Sequence, residues 1–236
     1  VSLTKWSIEE EKLEKNSHLS DVAAMNCNLD VIQYINKIKC PWSIYNCYYA
    51  AELGNLDILK WAREKKHYCD SNVYYNAAKG GHIHILKWLS HMSQTNQKKS
   101  FEGAAVSGNI NILKWLYNQN YKWDFKTFDE CAKYGHLESL KWLCENKCPS
   151  TYMSIINASQ NGHLEVVEWL YKKGFDLEPS ELPNEYNSVF CSAAYYGQLN
   201  ILEWGLAIRC EFYYNITSSA AEGGQLNTLK WLYEQG

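Results

Sequence analysis

The sequence predicts an all-α chain: a curved solenoid built from eight copies of one helix–turn–helix unit. Three observations carry this. Glycines recur at 54, 81, 108, 135 and 162, always 27 residues apart, and resume with the same step at 197 and 224. Tryptophans keep the same time at 61, 88, 115, 142 and 169, then at 204 and 231. Between them the apolar residues follow a helical period and not a strand alternation. A fixed period of this size is the mark of a stacked repeat array, in which each unit buries its apolar face against its neighbours.

Taken in order, residues 1–16 form an irregular opening, in which Leu3-Thr4-Lys5-Trp6 resembles the tail of a further copy. The first copy, Ala23-Ala24 to Tyr34, is weak and carries Cys27 where the glycine belongs. In each later copy a first helix precedes the glycine. Seven residues ahead of its Ala-Ala pair stand Ser43, Asp70, Gln97, Asp124 and Thr151, four of which can accept the orphan N–H groups of a first helical turn. Three residues ahead stands a core position, Cys47, Tyr74, Phe101, Phe128, Ile155 or Phe190. The glycine then ends the helix in the left-handed conformation that a side chain disfavours. The second helix reads Leu56-Asp57-Ile58-Leu59-Lys60-Trp61, with polar residues confined to one narrow stripe: Asp57/Lys60, His84/Lys87, Asn111/Lys114 and their successors. Trp115, recurring at a core position of its unit, is expected to be nearly fully buried. The step from 162 to 197 holds eight extra residues, placed at 178–185 and expected to loop out of a single domain spanning 1–236.

The core pattern, as in Ala77-Ala78-Lys79-Gly80-Gly81-His82-Ile83-His84-Ile85-Leu86-Lys87-Trp88, resembles an ankyrin repeat, and the resemblance covers roughly residues 17–236. Two departures stand out. The usual opening T-P-L-H is missing, and the period is 27 against about 33. The resemblance implies that the shortfall comes from the loop that builds projecting hairpins, so those hairpins are much shortened and no sheet is expected. Short repeats ending in L-K-W-L, with Cys40-Pro41-Trp42 beside them, resemble the ankyrin families of giant DNA viruses of amoebae.

Composition excludes several classes. With 23 Lys+Arg, 26 Asp+Glu and a net charge of −3, no basic stripe announces nucleic acid or an anionic membrane. No apolar run reaches the ~20 residues of a bilayer span. The chain opens on Val1 without a leader pattern, which predicts a fragment or processed form. Nine cysteines lie scattered with no CxxC, and Cys144 and Cys148 alone approach metal-ligand spacing. They read as nine free thiols in a reducing, intracellular compartment, cytoplasmic first, with no metal.

No nucleophile elbow, HExxH, P-loop or GxGxxG occurs, so no enzyme and no cofactor is expected. His82, His136 and His163 follow the turn glycine, where other copies hold Asn55, Asn109, Gln198 or Gln225; the slot calls for a short polar side chain that bonds turn backbone. What varies between copies lies on the first helix, one and two residues before the Ala pair and one after it. These positions hold Tyr48, Tyr49 and Glu52; Tyr75 and Lys79; Glu102; Asp129 and Glu130. The ankyrin resemblance implies that first helices line a concave groove, so these eight residues are the candidate partner-binding set. The function expected is a protein–protein scaffold or adaptor, on the virus-like resemblance one engaging host factors; the alternative is a structural component of a larger particle.

Overall fold

In the computed structural model the described residues are 17–26, 28–91, 97–177, 188–212 and 215–235. The opening segment 1–16, Cys27, the Gln97 side chain and the 178–185 insertion lie outside them. The described residues form sixteen helices and no strand, in the expected alternation of first and second helices. They fall into two compact units, Val1–Lys122 and Trp123–Gly236.

The first unit holds four helix pairs. These are α1 (Ser17–Met25) and α2 (Leu29–Lys37), α3 (Tyr45–Glu52) and α4 (Leu56–Glu64), α5 (Asn72–Lys79) and α6 (Ile83–Ser90), α7 (Gln97–Ser107) and α8 (Ile110–Asn118). The second unit repeats the plan with α9 (Phe125–Lys133) and α10 (Leu137–Glu145), α11 (Met153–Gln160) and α12 (Leu164–Lys172), α13 (Val189–Tyr196) and α14 (Leu199–Ala207), α15 (Ile216–Glu222) and α16 (Leu226–Gln235). Within each unit the first helices stack on one another in sequence, and each second helix packs on its own first helix. In the inner repeats the Ala pairs sit in that stack with no exposure, as at Ala50, Ala51, Ala77 and Ala78, whereas Ala221 of the last repeat is exposed. Their small side chains permit the close approach. Gly103 carries this furthest: a methyl group there would collide with the carbonyl of Tyr75 on α5.

The helix ends follow the sequence signals. Ser43, Asp70, Asp124 and Thr151 each accept the backbone N–H two residues on, at 2.8–3.2 Å. All seven turn glycines have left-handed φ, between 65° and 86°. At Gly54 the requirement is double: φ is 83°, and a Cβ would lie 2.6 Å from the His82 ring of the next repeat. The second helices also end in a left-handed residue, at Lys39, Lys66, Asn120, Lys147, Gly174 and Arg209, a column that holds one glycine. In each of these the following N–H bonds back to the last helical turn, for example Cys148 N to Leu143 O at 3.0 Å. Lysine gives no sequence signal for such a turn, so this second series of caps was not foreseen.

The tryptophan column requires a correction. Trp61 is 8% exposed, whereas Trp115 and the other second-helix tryptophans are only half-buried. Counting from Leu56, the fully enclosed positions are the third, fourth and seventh residues, such as Ile58, Leu59 and Ala62. At about 100° per residue the tryptophan falls on the flank of that arc. In three repeats it faces the loop that leads into its own repeat or leaves it. Trp61 lies 5.7 Å from Trp42, Trp142 lies 5.8 Å from Trp123, and Trp115 meets Tyr121 edge-on. The enclosed large side chains of the first helices are Phe101, Phe128 and Phe190.

Candidate functional site

Comparison of the repeats shows what each first-helix position does. In three repeats the position two residues before the Ala pair serves as a joint to the next repeat. Tyr48 donates its hydroxyl to Asp70 Oδ2 at 2.8 Å and accepts from Asn72 Nδ2 at 3.2 Å. In the second unit Asp129 holds the same place. It accepts from Thr151 Oγ1 at 2.8 Å and lies against Ser154 Oγ. Cys191 follows suit with Asn215 Oδ1 at 3.2 Å. Three unlike side chains thus reach the same target, the entrance of the following first helix. Variation in this column does not mark it as a free surface.

This divides the eight candidates. Asp129 is 9% exposed and turned inward, so it is a structural joint and not a groove side chain. Burial pushes its carboxyl above the ordinary carboxylate range, against the pull of the Ser154 and Thr151 hydroxyls. Ser154 has one hydroxyl proton for two acceptors, Asp129 Oδ1 and the Thr151 carbonyl 2.8 Å away. Tyr48 is half-buried and committed at its hydroxyl, which desolvation and Asp70 hold in the protonated form.

The remaining residues keep an open side. In the first unit Tyr49, Glu52, Tyr75, Lys79 and Glu102 are all half-buried. Lys79 Nζ on α5 lies 2.8 Å from Glu52 Oε1 on α3, an ion pair across adjacent first helices with about a third of each side chain wet. Such a pair is worth roughly 0–1 kcal/mol, so it ties down the face without locking it. Glu102 pairs with Lys99 one turn earlier on α7, at 2.9 Å. In the second unit Glu130 is half-buried and lies 4.0 Å from Lys133. One residue was missed. Tyr45 is 55% exposed and meets Tyr48 edge-on at 5.6 Å. Tyr45, Tyr48 and Tyr49 stand at i, i+3 and i+4, a spacing that puts them on one helix face; that spacing was the available signal.

The turn slot bonds backbone, and it does so in two ways. Asn55 and Asn109 accept the N–H three residues on at 3.1 and 3.2 Å, capping their own second helices. His82, His163 and Gln198 instead reach back to the preceding repeat, to the carbonyls of Glu52, Lys133 and Gln160 at 2.9–3.0 Å. Because a carbonyl only accepts, His82 and His163 carry their proton on Nε2. These rings fasten one repeat to the next.

The cysteines require a second correction. Cys47 and Cys69 are joined by a disulfide, with Cα atoms 5.9 Å apart. The same pair of columns brings Phe190 and Phe212 within 5.1 Å in a later repeat. Two cysteines in these columns therefore meet although 22 residues separate them. The bond removes the ground for assigning a reducing compartment, which rested on free thiols. Of the free cysteines, Cys144 is exposed and Cys148 is buried, so the pair with metal-like spacing does not share an environment. Burial pushes the Cys148 thiol up to about 12 and raises Cys131 further. Among the described residues no group of three or more His, Cys, Asp or Glu converges as a metal site, and no helix is long and apolar enough to cross a membrane. Compared with known proteins, the sequence matches no family model and no curated protein.

Proposed function

We propose that the chain is a protein–protein interaction scaffold of the ankyrin type, which binds its partner on the face of the first helices and acts without catalysis or a cofactor. One observation carries the reading: an unvarying frame supports a chemically varied, half-open face. The Ala pair, the left-handed glycine and the enclosed second-helix residues recur from repeat to repeat. The residue following the Ala pair stays partly or wholly exposed while changing from Glu52 to Lys79, Val106, Lys133, Gln160 and Tyr195. Tyrosines beside it supply large area, a polar tip and few rotors, which interfaces favour.

Within the first unit the binding set is Tyr45, Tyr49, Tyr75, Glu52 and Lys79, with Glu102 at its edge. Glu130 belongs to the corresponding face of the second unit. The virus-like repeat supports a role in engaging host proteins as an adaptor. A second reading, as an assembly component, draws on the second helices: Tyr171, Leu206 and Tyr233 occupy one column of successive repeats and are all exposed. The test is the affinity of the captured partner for three double variants of the full chain. Tyr49→Ala with Tyr75→Ala should weaken binding by at least about 2 kcal/mol, because interface energy concentrates in a few aromatic anchors. Asp57→Ala with Lys60→Ala should leave it unchanged. Loss with Tyr171→Ala and Tyr233→Ala alone would refute the first-helix reading and favour assembly.

A further inference from the structure

A cleft of 370 Å³ opens in the first unit, where the loop after α4 meets α5 and α6. Its walls include Leu59 and Arg63 of α4, Val73 and Tyr74 of α5, Trp88 of α6, and Cys69 in the loop. Its position in the repeat explains why it is there. The column that contains Cys69 reads Trp42, Cys69, Asn96, Trp123, Ser150, Leu177 and Phe212. Where that residue is aromatic it packs inward. Trp42 lies against Trp61 at 5.7 Å, Trp123 against Trp142 at 5.8 Å, and Phe212 against Phe190 at 5.1 Å. In the third repeat the corresponding partner is Trp88, and opposite it stands a cysteine tied back to Cys47. The small side chain leaves room where other repeats place a ring of their own.

We propose that this cleft is a binding site for one planar aromatic ring of indole size. The chain itself suggests what suits this place, because at positions 42 and 123 the same column holds a tryptophan packed on the tryptophan of its own repeat. The volume is at the small end of the ~300–1,000 Å³ typical of ligand sites. Tyr74 is held in place by its hydroxyl bond to the Leu89 carbonyl at 3.0 Å, so that wall is preformed. Trp88 offers a ring edge or face to an incoming ring, and the Arg63 guanidinium on the rim favours a π-face beside it. The ring could belong to a free heteroaromatic molecule or to a tryptophan side chain of a peptide, which share this chemistry.

The test uses the full chain and two probes, 5-fluoroindole followed by fluorine NMR and N-acetyl-tryptophanamide followed by methyl NMR. Saturable shifts at the methyl groups of Leu59, Val73 and Leu89, without shifts at Leu140 and Val166, are expected for the wild type. Binding of both probes assigns the site to a side chain as well as a free ring; binding of fluoroindole alone assigns it to a free molecule. Cys69→Trp fills the cleft from within and should weaken binding at least tenfold. Cys69→Ser also breaks the disulfide but leaves the space open, so it should retain binding. No saturable shift at these methyl groups with either probe overturns the proposal whether or not the tryptophan variant folds. Unchanged binding in a folded Cys69→Trp chain overturns it as well.

Discussion

Asp129 illustrates how far a single residue can be read without its surroundings. Its place in a variable column suggested a groove carboxylate. In three repeats the varied side chains serve one task, since Tyr48, Asp129 and Cys191 all bond the entrance of the next first helix. One sequence cannot distinguish a position that varies because it is free from one that varies because several side chains solve the same problem. The buried acid also gives a pH dependence with a definite sign. Its folded pKa is raised above an ordinary value of about 3.8, so the folded state holds the proton more tightly than the unfolded chain. Stability should therefore fall as pH rises from 3.8 through the folded pKa and then level off. Denaturation midpoints measured against pH should show this slope in the wild type and lose it in Asp129→Asn. A wild-type minus variant difference that grows with pH would contradict a raised Asp129 pKa.

At the scale of the element, much was legible because each signal has a local cause. The period placed the helices, the Ser, Asp and Thr side chains placed their beginnings, and glycine placed the ends of the first helices. The ends of the second helices were not legible, since Lys39, Lys66, Lys147 and Arg209 adopt left-handed backbone without a glycine to announce it. A non-glycine residue in that region costs about 1 kcal/mol, so Lys147→Gly should raise stability by up to that amount in chemical denaturation. The tryptophans were misplaced for a different reason. Recurrence shows that a residue is structural, but only its angle to the buried arc shows how deep it lies. Phe128 is 2% exposed, while Trp142 in the same repeat is half-buried against Trp123. Phe128→Ala should cost about 3–5 kcal/mol by loss of burial and cavity formation. Trp142→Ala should cost less, about 1–3 kcal/mol, because part of its surface is already wet. The reverse order in matched denaturation curves would put the tryptophan back in the core.

At the scale of the whole chain, the repeat makes distant residues meet, and this both helps and misleads. It brings Cys47 to Cys69 for the same reason that it brings Phe190 to Phe212, yet scattered cysteines without a CxxC read as unpaired. Only the stacking of the repeats, not the spacing of the cysteines, reveals that these two columns adjoin. Peptide mapping of the unreduced chain should recover a Cys47–Cys69 linked peptide, and alkylation should mark exposed Cys144 before buried Cys131 and Cys148. Opening a loop of this size should cost about 3 kcal/mol, read as a lower melting temperature with reductant. The account rests above all on the claim that the first helices carry the recognition face and the second helices the frame. Amide hydrogen exchange of the full chain, free and partner-bound, tests this directly. The account predicts added protection in α3 and α5 and none in α4 and α6. Protection confined to the second helices would contradict it.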